Sequence, residues 1–424
     1  MRLHACSWLA LSSLICHSLA GATRPRYGGT LTVEDPQFET MFGSTLPVAV
    51  AETLVRVNSR GQIEPVLSVA WQHDPDYKQW RFSLRPRVTF HDGQALTAAS
   101  AAPSLLEVLK QEYPDVSIEA GGQALLIKSA QPMPDLLNEL ASPEAAISRG
   151  SRIGTGPFRI AEADAQHATF TAFADYWGGR PYLDSVTFEN SNPRGRADIV
   201  DIPVGPQRRI VPEGWTTWSS LPKTLVVIRG FDADVNLLKA LALAIDRAPI
   251  ASVLAQHKAE PAFGLLPQWL SGYAFLFQSA PDLARAKQIV AQLRPAPVSI
   301  EAPANDPFLR SVAERIALNA RDAGIAIQVK PGGNLRLKKL TIASTDAFYD
   351  LLRLGAQLKL GPLPPEFDPA KPETLYQFER SSIEDRPIIP LIHLRESYAI
   401  SPRVHFQPSR DQFSLHLEDC WIEP

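Results

Sequence analysis

The sequence predicts an α/β protein built on more than one mixed sheet. Two patterns carry this. Apolar strand-like runs alternate with helix-periodic segments, as in residues 225–228 followed by 236–255, and 298–300 followed by 306–323 and 326–329. Other strand-like runs follow each other directly, as in 71–84 and in 158–160 with 168–173, which is the mark of antiparallel hairpins. The 37 prolines in 424 residues add a third argument, for many short elements rather than a helical bundle. A chain of this length suffices for two or three compact domains.

Taken in order, residues 27–33 read as a turn and a strand, and 34–47 as a polar loop. Residues 48–57 read as a helix entering a strand. Two strands flank Asp74-Pro75-Asp76, and the second, 79–84, alternates with period two. A short strand at 88–90 runs into the turn His91-Asp92-Gly93, and Thr97 is placed to cap a helix over 97–110. Residues 123–130 alternate again, and 134–141 form a short amphipathic helix. Beyond the Gly-rich connection 153–158 lies a hairpin, then a strand at 182–189. Residues 225–228 are an apolar strand suited to a buried crossover. Residues 236–255 are the clearest helical zone, with Leu237, Leu241, Ile245, Ile250 and Val253 on one face. Helices follow at 280–293 and 306–323, the second closed by Gly324. A Pro-bounded strand at 387–394 is the last clear element. No internal repeat is visible.

Composition narrows the functions. The formal net charge is −3, so the basic field of a nucleic-acid binder is missing. Arg2, the apolar run 8–15 and the small residues Ser18 and Ala20 form a signal-peptide pattern over residues 1–20, and the apolar run is too short to span a bilayer. A periplasmic or secreted protein is therefore expected. Cys6 and Cys16 fall in that segment, which leaves Cys420 alone, with no internal disulfide and no cysteine zinc site.

A set of ordered blocks carries a resemblance. They are Gly28-Gly29-Thr30-Leu31, Glu52-Thr53-Leu54-Val55, Pro65-Val66-Leu67, Ala70-Trp71, Trp80-Arg81-Phe82 and Val88-Thr89-Phe90-His91-Asp92-Gly93. Then come Gly154-Thr155-Gly156-Pro157-Phe158, Tyr176 to Asp184, Ala244-Ile245-Asp246-Arg247, Gly264-Leu265-Leu266-Pro267 and Ile388-Ile389-Pro390-Leu391. Spread from Tyr27 to His393 in one order, they resemble the bacterial extracellular solute-binding proteins of family 5, the oligopeptide- and dipeptide-binding proteins of ABC importers. The chain resembles a shortened and divergent member. Its segment between Gln328 and Glu379 is abridged and lacks the tryptophan- and aspartate-rich stretch from which peptide-binding relatives draw the carboxylate for the peptide amino terminus. Asp346 and Asp350 are the nearest acidic candidates, and their spacing of four equally suits a solvent-facing helix.

The resemblance implies a bilobal periplasmic-binding-protein fold of type II with mixed sheets. The expected partition is a discontinuous first lobe (27–52, 152–228 and 394–424), an inserted subdomain (53–151) and a second lobe (229–393). It implies a monomeric, non-catalytic receptor that holds a peptide-like or other small solute between its lobes, needs no cofactor, and docks on a membrane permease. A degenerate receptor that senses or docks on a protein is the first rival. A secreted hydrolase is the second, though no Gly-x-Ser-x-Gly elbow is present to serve it. Trp71, Trp80 and Phe90 are expected in the core.

Candidate ligand residues follow from position. Glu34, Gln37 and Phe42 leave the first strand at its C-terminal end, the edge where alternating folds bind ligands. Trp269 and Tyr273 follow the Gly264–Pro267 block. Arg229 is a long cation in an apolar strand and requires an internal partner or an anionic ligand, since an unpaired buried charge is very costly. Three further features have ordinary structural readings. His91-Asp92-Gly93 reads as a turn with a hydrogen-bonded histidine, and Tyr176-Trp177 as a hairpin anchor. His393, His405 and His416 have separations that fit no metal site.

Overall fold

A computed structural model describes residues 24–423, except 36–48, 59–61, 151, 165, 191–194, 206–208, 231–233, 278–279, 343–345, 362, 365–366, 369–370, 385, 387 and 407–416. Gln37, Phe42 and His416, and the expected signal segment, lie outside the described residues. No described helix is long and apolar enough to cross a membrane.

Two large sheets dominate. The first has seven strands in the order Thr216–Ser219, Ser397–Ile400, Ile199–Asp201, Thr30–Glu34, Ser185–Glu189, His167–Ala172 and Phe158–Ala163. Its central strand, Thr30–Glu34, runs parallel to both neighbours, and the outer pairs are antiparallel. The second has six strands in the order Ala259–Pro261, Ile388–Leu394, Thr224–Gly230, Leu335–Thr341, Val298–Glu301 and Ile327–Val329. Mixed pairing in both bears out the α/β, bilobal expectation.

Helices cover the six-stranded sheet. Among those of ten residues or more are α1 (Ala98–Glu112), α2 (Val235–Ala244), α3 (Leu283–Leu293), α4 (Pro307–Asp322), α5 (Ala347–Leu358) and α6 (Pro372–Glu384). All but α1 pack on this sheet. One face is sealed by α2, α3 and α4, through Leu237, Leu241, Phe308 and Ile316 against Val226 and Ile228. The other is sealed by α5 and α6, through Leu351, Leu354, Leu375 and Phe378 against Leu225 and Val227. Both faces of Thr224–Gly230 are thus covered, which is why its sequence is a continuous apolar run.

A four-stranded antiparallel sheet (Ser68–His73, Gln79–Leu84, Ala124–Lys128, Ser117–Gly121) belongs to the inserted segment. Trp80, Phe82 and Leu84 alternate inward, and their core includes Phe90, Leu105, Leu109 and Leu125. Thr97 caps α1 in a reciprocal capping box with Ser100. Trp80 and Phe90 are in this core as expected, but Trp71 is only partly buried against it. It sits on a strand whose pairing with Gln79–Leu84 shifts register at Ser68/Ala70.

Three further expectations are corrected. Residues 49–54 hold a turn and no helix before the strand Val55–Val57, because the backbone of Ala49 and Val50 accepts hydrogen bonds from Phe158 (2.9 Å) and Gly156 (2.9 Å). The helical zone 236–255 breaks at Ile245. Asp246 caps a new turn through the amide of Ala248, and Pro249 cannot donate back to residue 245. Asp350 is no solvent-facing residue: it is fully buried on α5, with Arg353 at 3.8 Å.

Candidate functional site

The two large sheets are joined by two short crossings. The chain leaves Thr216–Ser219 of the first sheet and enters Thr224–Gly230 of the second through residues 220–223. It returns from Ile388–Leu394 to Ser397–Ile400 through Arg395 and Glu396. The strand Thr224–Gly230 lies wholly in the second sheet, so the first crossing falls before Thr224 rather than at residue 229. The crossings are tied to each other. The Ser220 amide donates to the Glu396 carbonyl (2.9 Å), the Glu396 amide to Ser220 Oγ (3.0 Å), and Lys223 pairs with Glu396 (2.8 Å). Arg395 donates to the Ser220 carbonyl (3.3 Å) and pairs with Glu260.

The floor beside these crossings is charged. Glu34 closes the central strand of the first sheet and is 4% exposed. One oxygen of its carboxylate meets Arg209, while Oε2 is buried without a hydrogen bond. Arg209 also donates to the Asp201 carbonyl (3.0 Å). Burial, reinforced by the charge of Asp35, pushes the Asp201 carboxyl up to about 6, against the pull of Lys258 and Arg209. Lys258 reaches over from the second lobe to the carbonyls of Ile202 (3.0 Å) and Pro203 (3.2 Å), and Gln256 reaches Gly205 (2.6 Å). Burial lowers the pKa of Lys258, with Asp201 opposing. A buried carboxylate oxygen left unmatched costs free energy unless a donor meets it.

Of the residues singled out from sequence, Glu34 therefore sits on this floor, and Trp269 touches the crossing itself, its indole N–H donating to the Pro222 carbonyl (2.8 Å). Tyr273 and Arg229 are elsewhere. Tyr273 is buried and its hydroxyl donates to Glu379 Oε2 (2.9 Å). Arg229 is at the far end of its strand from the crossing and donates to the Gln357 carbonyl (3.1 Å). Sequence reading missed Arg209, Asp201, Lys258, Glu260 and the Arg395-Glu396 pair. The signal for the last was present: two charged residues directly after a strand that is buried throughout.

Around the Gly264–Pro267 block the polar groups are structural. Glu379 is fully buried and accepts from the amides of Leu265 and Leu266 (3.1 Å for the latter) as well as from Tyr273. Burial pushes its carboxyl up to about 7. His393, also buried, bonds the Leu265 carbonyl (2.9 Å), and burial lowers it to about 4. Beside them lies an open depression of about 680 Å³ lined by Arg247, Phe263 and Phe275, all from the second lobe. Arg247 donates to three carbonyls there and stacks on Phe263 (4.8 Å).

The other marked motifs are also braces. His91 accepts from the Gly154 amide (3.3 Å) and donates to the Gly156 carbonyl (3.0 Å), so both ring nitrogens are engaged. Glu52 accepts from Thr155 (2.9 Å), Tyr176 (2.8 Å) and Trp177 (2.9 Å). His405 stacks on Trp421 and lies 3.3 Å from Glu423. Among the described residues no group of three or more His, Cys, Asp or Glu is placed to hold a metal ion.

Two lobes on two mixed sheets, joined by paired crossings, have the bilobal fold of the periplasmic binding proteins. Residues 62–198 match the model described as bacterial extracellular solute-binding proteins, family 5 Middle. That segment is about a third of the chain, and the match supports a family 5 solute-binding protein, in a family made up of binding proteins rather than enzymes. It is similar to the nickel-binding protein NikA of Staphylococcus aureus, 27% identical over 318 residues, covering 67% of this chain and 65% of that protein. It is also similar to the HTH-type transcriptional regulator SgrR of Photorhabdus laumondii, 30% identical over 151 residues, 32% of this chain and 27% of that one. Among solved structures, the oligopeptide-binding protein AppA of Bacillus subtilis in complex with a nonapeptide superposes with a TM-score of 0.72 at 16% identity. That match covers 95% of this chain and all of AppA. The chain thus spans just under two thirds of the S. aureus relative it matches by sequence.

Proposed function

We propose that the protein is an extracytoplasmic receptor that binds one small solute between its lobes and presents it to an ABC permease. The single observation that carries this is the floor at the crossings, where Glu34 keeps a buried, unmatched carboxylate oxygen. Hinge bending at residues 220–223 and 395–396 would close the lobes over that floor and exclude water. The names of the relatives supply the solute classes to test, nickel complexes and peptides.

In this reading Glu34 and Trp269 contact the solute, and Arg229 and Tyr273 hold the second lobe together. Gln37 and Phe42 follow Glu34 in sequence and stay candidates on that ground. The protein acts as a monomer after residues 1–20 are removed. The solute carries a donor or cationic group toward Glu34, in place of the anionic ligand that was one of the two readings of Arg229. Ordinary di- to pentapeptides bind weakly, because both acidic anchors are occupied. Asp346 caps α5 through the Tyr349 amide (2.8 Å), and Asp350 is enclosed beside Arg353.

Native mass spectrometry of protein recovered from its export compartment tests the reading. A co-purifying small molecule is expected, with affinity at least tenfold weaker in Glu34→Gln. An empty protein that shows no calorimetric response to nickel chelates, peptides, amino acids or sugars would sink it. A second reading, a solute-sensing module without import, is favoured only by the similarity to SgrR. Failure to complement uptake despite tight solute binding would select it.

A further inference from the structure

The open depression of about 680 Å³ in the second lobe is built around one cation. Helix α2 ends at Ala244, Asp246 caps the next turn, and that turn carries Arg247 inward until it is 6% exposed. Its Nε donates to the Pro390 carbonyl (2.9 Å), and Nη1 to the carbonyls of Ala242 (3.2 Å) and Ile245 (3.4 Å). The ring of Phe263 lies 4.8 Å from the guanidinium. These contacts fix where the group sits but leave its charge unbalanced, because a carbonyl oxygen carries only a partial charge. Among the described residues no carboxylate forms an ion pair with Arg247. The two acids on the wall of the depression are engaged elsewhere. Asp246 accepts from the Ala248 amide (3.2 Å), and Glu260 pairs with Arg395 at the second crossing. Nη2 has no hydrogen-bond partner among the described residues, and it is not one of the enclosed polar atoms. A buried cation without a counter-ion is costly.

We propose that this depression is a second ligand site, which takes a small monocarboxylate with an apolar body, its carboxylate on Arg247 Nη2. Burial lowers the Arg247 pKa to about 10, with Asp246 opposing, so the cation persists at neutral pH. Two features select the class of anion. Asp246 and Glu260 stand on the same wall and repel a doubly charged phosphate or sulfate more than a singly charged carboxylate. The wall also presents aromatic surface: Phe263 stacks on the guanidinium, and Phe275 is 56% exposed. A ligand body that covers Phe275 removes that ring from water. The volume suits a small molecule. Every lining residue belongs to the second lobe, so the site is separate from the floor at Glu34 and does not depend on which solute that floor holds.

Titration calorimetry with benzoate at pH 7 tests the assignment. Saturable binding at one site with a Kd below about 5 mM is expected, and benzamide, which has the same shape without the charge, should bind at least about tenfold more weakly. Replacing Arg247 would also strip three carbonyls of their donor and endanger the fold, so the rim is the place to intervene. Phe275→Glu sets a negative charge beside the site at an exposed position and should weaken benzoate by at least about tenfold, with Phe275→Ala weakening it less. Ile210→Glu makes the same charge change next to Arg209, at a position 89% exposed, and should leave benzoate affinity within about twofold. Thermal melts check that each variant is folded. Absence of a saturable response in the wild type overturns the proposal, as does equal affinity for benzamide. Displacement of benzoate by an equal concentration of inorganic phosphate does so too, by showing a general anion site. Loss of binding in Ile210→Glu but not in the Phe275 variants would place benzoate at the crossings and equally overturn it. None of these results decides whether a solute binds at Glu34.

Discussion

Glu379 and His393 both brace the backbone at Leu265, and their titrations oppose each other. The folded carboxyl is held near 7 against an ordinary 4.5, so it takes up protons between those values and its contribution to stability falls as pH rises through them. The folded imidazole is held near 4 against 6.5, so its contribution falls as pH drops through that window. Over pH 4.5–6.5 the two largely cancel. Glu379→Gln removes one side. The amide oxygen still accepts from the amides of Leu265 and Leu266, and the amide nitrogen can donate to Tyr273. The variant should be more stable than wild type by about 3 kcal/mol at pH 8, shrinking to about 1 kcal/mol at pH 5. Urea melts at the two pH values measure this, and a gain independent of pH would refute it.

At the scale of elements, the glycine block 154–158 is the sharpest case. A Cβ at Gly154 would lie 2.0 Å from the Val50 carbonyl oxygen, and one at Gly156 would lie 2.6 Å from that of Ala49. Backbone cannot step aside as a side-chain tip can. Gly154→Ala should therefore cost about 3 kcal/mol or more, whereas Gly121→Ala, which meets nothing within 4 Å, should stay within about 0.5 kcal/mol. Phe90→Ala, emptying a fully buried site, should cost about 3–5 kcal/mol and leave solute affinity unchanged in the folded protein. Comparative urea melts check all three.

Elements of this kind were legible from sequence because their cause is local. Trp80, Phe82 and Leu84 alternate, Thr97 caps, and the run from Leu225 to Ile228 is apolar because both its faces are covered. Of the proposed site, only Glu34 and Trp269 had been singled out from sequence. Arg209 reaches Glu34 across 175 positions and Lys258 reaches Ile202 across 56, and no periodicity records a bond of that span. The two acids at 346 and 350 misled for a related reason. A spacing of four states that they share a helix face, not that the face is turned into the core. Nor did the apolar run 236–255 reveal its break, because Asp246 and Pro249 act on the backbone and leave the hydrophobic face intact.

For the whole molecule, two side chains of the second lobe reach the backbone of the first. Lys258 bridges to Ile202 and Pro203, and Gln256 to Gly205. Lys258→Ala should open the ligand-free protein, seen as a larger radius of gyration by X-ray scattering, and weaken solute binding in proportion. An unchanged radius would mean that Lys258 does not set the angle between the lobes.

The inserted segment leaves and rejoins the body at one point: the Ile147 amide donates to the Glu52 carbonyl (2.8 Å). Between those residues the chain builds a hydrophobic core from Leu54 to Ile147, on which Ile153 and Trp177 of the body also pack. A segment with adjoining ends and most of a core within it has the layout of a cassette. Its length could change without re-threading the sheet that carries it, while Glu52 accepts hydrogen bonds from Thr155, Tyr176 and Trp177 at the point of attachment.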